Sequence, residues 1–138
     1  MLGLDRRGFL AGAAAAALLP GTLRAAGSAA ATGFTHGVAS GEPGPDSVLL
    51  WTRYVGAAAR TPLRVELAAD ERFRRVVARA QAVAHAGRDH TARVTVRGLA
   101  PGRRWHYRFT APDGTRSATG RTATLPDGAT GVFRLAVF

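Results

Sequence analysis

The sequence predicts an all-β domain, an antiparallel sandwich of about seven short strands. Three observations lead there. Apolar and polar residues alternate in segment after segment, as in Leu63-Arg64-Val65-Glu66-Leu67, the period of a strand with one wet face. Turn signals rich in Gly and Pro separate those segments at near-regular intervals. Nothing after residue 33 carries a convincing helical period. The 138 residues are enough for one domain of ordinary size.

Residues 1–31 stand apart from that domain. Arg6-Arg7 precede Gly8-Phe9-Leu10, an apolar run to Leu19, then Pro20 and a small-residue stretch. This is the order of a secretory signal. The run of about ten residues falls well short of the ~20 that span a bilayer as a helix, so no stable membrane anchor is expected. Asp5-Arg6-Arg7-Gly8-Phe9-Leu10 resembles the twin-arginine export motif, with Asp5 in place of Ser/Thr and Ala11 in place of Lys. The resemblance implies the twin-arginine translocation machinery as a partner, Arg6, Arg7, Phe9 and Leu10 as its recognition residues, and a periplasmic or extracellular destination.

The domain is expected over residues 33–125. Phe34, His36 and Val38 alternate with Thr35, Gly37 and Ala39, which places the first three on one face of a first strand. Gly41-Glu42-Pro43-Gly44-Pro45-Asp46 breaks the chain, because two prolines lack a ladder donor and two glycines are permissive. Ser47–Tyr54 resumes with Val48, Leu50, Thr52 and Tyr54 on one face. Leu49, Trp51, Arg53 and Val55 on the other suggest a strand covered on both sides. Gly56–Pro62 reads as a loop, Leu63–Leu67 as a strand, and Ala68–Arg75 as a turn with Asp70 as a cap. Val76–His85 is strand-like, though rich in alanine. Thr91–Arg97 follows with Val94 and Val96 inward, and Leu99–Gly102 turns. Arg103–Phe109 puts Trp105, Tyr107 and Phe109 on the inner face. Pro112-Asp113-Gly114 is a hairpin signal, and Thr115–Thr124 the last, polar strand. Leu99-x-Pro101 followed by Trp105 and Tyr107 resembles the corner of Ig/fibronectin type III-like domains. There the corner tyrosine is replaced by Trp105, so its hydroxyl bond back to the chain cannot form.

Composition excludes several function classes. With no cysteine, neither disulfides nor thiolate chemistry is available. The net charge of +10 invites a nucleic-acid reading. Every basic residue is Arg, however, and Arg64, Arg79, Arg93, Arg97, Arg108 and Arg121 are spread over five predicted strands without aromatic platforms for bases. A solvated basic surface is expected and no nucleic-acid partner. The four histidines, His36, His85, His90 and His106, form no His-x-His or His-Glu-x-x-His pattern. His36, on an alternating strand, is read as a structural histidine. His85 and His90 flank a turn and are weighed as a metal pair only against long odds. Ser40 lacks the Gly-x-Ser-x-Gly frame, since Val38 stands two before it. Gly41 and Gly44 come with prolines and no lysine, which speaks against phosphate cradling.

Gly37-Val38-Ala39-Ser40-Gly41-Glu42-Pro43, followed by Ser47-Val48-Leu49-Leu50-Trp51-Thr52-Arg53, resembles the entry motif of PhoD-like alkaline phosphatases/phosphodiesterases. In that family it opens an N-terminal β-sandwich placed before a metallophosphatase domain, and Glu42 stands where Asp is commoner. The resemblance implies a structural part for Gly37, Ser40, Gly41, Pro43, Ser47, Trp51 and Arg53. It implies no catalytic, cofactor or metal ligand within the chain. Trp51 and Arg53 could meet a neighbouring domain, a reading weighed against a buried sandwich tryptophan. The implied whole enzyme hydrolyses phosphate mono- or diesters with iron and calcium, its catalytic domain being this domain's partner. Residues 126–138 are then expected to be a linker and, over Phe133–Phe138, the first strand of a truncated catalytic domain. Two rivals stay open: a secreted stand-alone Ig/fibronectin-like binding module, and the front domain of a purple-acid-type phosphatase.

Overall fold

The computed structural model describes residues 31–128. The export motif with Arg6, Arg7, Phe9 and Leu10, and the strand expected at Phe133–Phe138, lie outside the described residues. Seven strands run in the order β1 (Gly33–Gly41), β2 (Val48–Val55), β3 (Arg60–Ala68), β4 (Val76–His85), β5 (Thr91–Val96), β6 (Arg104–Thr110) and β7 (Gly120–Ala123). One 3-10 turn, Ala86–Arg88, joins β4 to β5.

All pairings are antiparallel, in the lateral order β1-β2-β5-β4-β3-β6-β7. The β4–β5 link consists of the one pair His85↔Thr91. The sheet folds over at that corner into two layers, β1-β2-β5 and β4-β3-β6-β7. Both contribute to one apolar core. Val48, Leu50 and Tyr54 of β2 and Ala92 and Val96 of β5 meet Leu63, Val65 and Leu67 of β3 and Trp105, Tyr107 and Phe109 of β6. The register explains this: Val65 lies opposite Phe109 and Ala80, and Leu67 opposite Tyr107 and Ala78. Residues directly opposite share a face. The alanines of β4 leave room for the large aromatic side chains of β6. The all-β antiparallel sandwich of about seven strands expected from the alternation is the fold observed.

Four local expectations change. The first concerns β1, where Phe34 pairs with Tyr54 but Val38 pairs with Thr52. Three residues of β1 therefore stand against Arg53 alone, a bulge that Gly37 makes possible at φ +67°, a left-handed conformation costly for a residue with a Cβ. Phe34 and Val38 pack against the core while His36 is pushed out into solvent, its Nδ1 2.8 Å from Thr35 Oγ1. His36 is thus not a core histidine. The second is the outer face of β2, where Leu49, Trp51, Arg53 and Val55 are half-buried rather than covered. Trp51, between Ala39 and Arg93 on the neighbouring strands, is not the buried tryptophan of the sandwich; Trp105 is. The third is the last strand, reduced to Gly120–Ala123 with an isolated bridge Thr110↔Arg116. The Ser117 hydroxyl accepts from Phe109 N–H and donates to Ala118 C=O, taking the place of strand pairing. Finally, β3 begins at Arg60, inside the segment read as a loop, because its first residues pair only with β4.

Ala68–Arg75 is the turn expected, organised by Asp70. Its carboxylate accepts the backbone N–H groups of Arg72, Arg74 and Arg75 at 3.1, 3.2 and 2.9 Å. Those bonds hold Asp70 below the usual carboxylate range.

Candidate functional site

The motif residues occupy two places: a clamp on the outer face of β1-β2-β5, and the pole of the sandwich where β7 runs out.

Arg53 makes the clamp. Its Nη2 and Nε donate to the Asp89 carboxylate at 2.8 and 3.2 Å, Nε also to Asp89 C=O at 3.0 Å, and Nη1 to Thr35 Oγ1 at 2.9 Å. One guanidinium thereby ties the bulge of β1 to the turn between β4 and β5, a fork that a lysine could not reproduce. Its hydrogen bonds hold Asp89 below the usual carboxylate range. Asp89 itself sits in the left-handed region at φ 52°, where Asp is among the better tolerated residues. Next to Arg53, the Thr52 hydroxyl, fully buried, donates to Gly37 C=O at 2.8 Å and closes the inner side of the bulge.

The pole is built from three segments. The Gly41–Asp46 connection closes with Gly44 N–H to Ser47 C=O at 2.8 Å. Leu125 N–H donates to Gly44 C=O, Leu99 N–H to Asp46 C=O, and Gly102 N–H to Leu125 C=O, each at 2.9 Å. Thr124, buried, finishes the staple: its Oγ1 donates to Ala100 C=O at 2.7 Å and accepts from Arg103 N–H at 3.1 Å. Gly41, Pro43 and Ser47 thus shape the loop beside which the chain leaves the sandwich at Leu125–Asp127. Ser40 ends β1 near the buried Tyr107 phenol, whose pKa is raised by burial and partly offset by the Ser40 hydroxyl.

The histidines do not assemble a metal centre. His85 Nδ1 accepts from Gly87 N–H at 3.0 Å as a cap, and His85 and His90 meet through backbone, His90 N–H to His85 C=O at 2.9 Å. Among the described residues no three His, Asp or Glu side chains stand close enough to share a metal. Pairing does bring His36 and His90 near Asp89, a proximity that spacing alone could not reveal.

Several contributors carried no signal in the sequence. Gly120 crosses Tyr107 so closely that a Cβ there would lie 2.3 Å from the ring. Glu66 pairs with Arg108 at 2.7 Å and with Arg79 at 3.5 Å on the outer face of the other layer. Arg108 also lies 4.0 Å over the Phe73 ring. Trp105 Nε1 is buried without a hydrogen-bond partner, as expected where an indole replaces the corner tyrosine.

Bulge, clamp and pole thus place the motif residues on an antiparallel β-sandwich of two layers. The family described as PhoD-like phosphatase, N-terminal domain, matches residues 21–126, and the chain belongs to that family. Alkaline phosphatase D of Bacillus subtilis (strain 168) is 39% identical over 101 residues, which cover 67% of this chain and 17% of that protein. A solved structure of PhoD superposes with a TM-score of 0.68 at 36% identity, covering 75% of this chain and 21% of the other. A fibronectin type III domain derived from human KIAA0970 protein aligns over 73% of this chain and 81% of its own, with a TM-score of 0.49 and 10% identity. The chain therefore spans about a fifth of the phosphatase relatives it matches.

Proposed function

We propose that this sandwich is the non-catalytic front domain of an exported PhoD-like alkaline phosphatase/phosphodiesterase, serving to seat and orient the metallophosphatase domain. The observation that carries the reading is the placement of the motif. The turn inside the motif, Gly41–Ser47, lies at the pole beside Leu125–Asp127: Gly44 C=O accepts from Leu125 N–H, and Thr124 bonds Ala100 and Arg103, so the departing chain is stapled to the body. A next domain would thus leave a rigid platform rather than a free linker. Hydrolysis, with the iron and calcium that the family resemblance implies, is assigned in this reading to the catalytic domain. The twin arginines at Arg6-Arg7 support export of the folded protein, to the periplasm or the exterior.

Two measurements test this. The chain, assayed with p-nitrophenyl phosphate and bis(p-nitrophenyl) phosphate in the presence of iron and calcium, should show no turnover; metal-dependent hydrolysis would overturn the assignment. Replacing Arg6 and Arg7 with lysine should leave the precursor in the cytoplasm, and undiminished export would overturn the twin-arginine route.

A further inference from the structure

We infer that the outer face of the β4-β3-β6-β7 layer is a docking surface for a linear polymer of consecutive phosphate groups. This goes beyond the structural role proposed above and does not depend on it.

The arginines that look scattered along the chain converge here. These four strands carry six arginines and one acid, Glu66. Register brings them together: Glu66 lies opposite both Arg79 and Arg108, and His106 opposite Arg121. Arg64 and Arg104 extend the face along β3 and β6. Glu66 engages Arg108 and Arg79, which leaves Arg64, Arg104 and Arg121 exposed and without a carboxylate partner among the described residues. Two open depressions mark the surface. A depression of about 410 Å³ opens between β4, β3 and β6, and another of about 490 Å³ beside β6 and β7.

Size decides between a small anion and a chain. Four adjacent strands place β4 and β7 about 14 Å apart, and Arg104 and Arg108 stand about 13 Å apart along β6. One phosphate can occupy one or two guanidinium forks, whereas this face offers several, each matched to a phosphate bidentately. Chemistry decides which chain. A polyphosphate carries its charge on the backbone. An acidic peptide must also immobilise a Glu side chain per contact, at up to about 2 kcal/mol each. The face offers no open platform for bases: Phe73 is already covered by Arg108, and the other ring on it, His106, is half-buried.

The test uses the full chain and fluorescence anisotropy with labelled inorganic polyphosphate, at low and at physiological ionic strength. Inorganic phosphate, poly-glutamate and an oligo-dT strand are the comparison probes. Polyphosphate should bind with a steep salt dependence, at least roughly 100-fold tighter than inorganic phosphate. Oligo-dT should bind no tighter than polyphosphate of equal charge. The triple variant Arg64→Gln/Arg104→Gln/Arg121→Gln should weaken polyphosphate binding roughly tenfold or more and reduce the salt slope by about two to three. The equally charged control Arg88→Gln/Arg93→Gln/Arg97→Gln should change it less than about threefold. Thermal melts establish that both variants fold; if the first does not, Arg104→Gln and Arg121→Gln singly should each reduce the slope by about one. Equal weakening in both triple variants would reduce the effect to net charge and overturn the site. Tighter binding of poly-glutamate or of oligo-dT would overturn the phosphate-chain assignment, as would binding that salt does not weaken.

Discussion

The two layers share one core and differ in what they show to the outside. Over β1-β2-β5 the outer face carries half-buried Leu49, Trp51 and Val55 around the Arg53–Asp89 clamp. Over β4-β3-β6-β7 it carries arginines around Glu66. Inside, both obey the same rule, since alternate residues fill one apolar volume. The difference teaches that the inner positions answer only to packing, whereas the outer ones are free to specialise. The family motif is concentrated on the first layer, and the charge on the second.

The strongest way to separate core from face is to compare the two tryptophans. Trp105→Ala should cost about 3–5 kcal/mol, the usual effect of emptying a large aromatic site, read from the denaturation midpoint. Trp51→Ala, on the half-buried outer face, should cost about 1 kcal/mol or less. Equal losses would mean that Trp51 belongs to the core after all. Trp105→Phe should fall between the two, because it loses area but also removes a buried N–H that has no acceptor.

Gly120 tests how closely the second layer is fitted. Gly120→Ala should lower the melting temperature by several degrees, because its Cβ would meet the Tyr107 ring at a distance that forces the strand or the ring to move. The change Tyr107→Phe with Gly120→Ala should not restore stability if the ring itself is the obstacle; recovery would point to the hydroxyl.

The clamp of the first layer and the ion pair of the second both weaken in acid. Asp89 is depressed by hydrogen bonds from Arg53, and Glu66 by those from Arg108 with help from Arg79. A depressed carboxylate binds fewer protons folded than unfolded, so stability is fully present above the ordinary carboxylate range and is lost as pH falls through the folded value. Melting temperature measured downward from pH 6 should therefore fall below about pH 4.5. Glu66→Gln and Asp89→Asn should each flatten part of that fall. Arg53→Lys should not reproduce the wild-type profile, because a single ammonium cannot hold Asp89 and Thr35 together.

The smallest effect lies in the motif turn. Glu42 adopts φ 46°, a left-handed conformation unfavourable for a side chain of its kind. Glu42→Gly should raise stability by at most about 1 kcal/mol, and Glu42→Asp by less, in chemical denaturation. Loss of stability in both would show that the Glu42 side chain makes a contact worth more than the backbone strain.

Much of the fold was legible because one face of nearly every strand is buried. Leu63-Val65-Leu67, Val48-Leu50-Thr52-Tyr54 and Trp105-Tyr107-Phe109 all point inward as their alternation requires. A period of two survives any lateral arrangement of strands, so it can be read without knowing the neighbours. The motif contains Arg53, Gly37 and Ser47, which the structure places in the clamp, the bulge and the loop at the pole. It could not show that Arg53 reaches a carboxylate 36 residues away, because that contact depends on where the β4–β5 turn lands.

By itself, the sequence determined most of the strands, the inward faces of β2, β3 and β6, the turn at Gly41–Asp46 and the entry motif that marks the family. Those properties are local, carried by side-chain period, by proline and by glycine. Tertiary structure alone decided the bulge that expels His36, the outward placement of Trp51, the fit of Gly120 under Tyr107, and the gathering of arginines from four strands onto one face. Each of these depends on register between segments distant in the chain. A shift of one residue in that register would turn each strand over, sending the arginines of that face into the core.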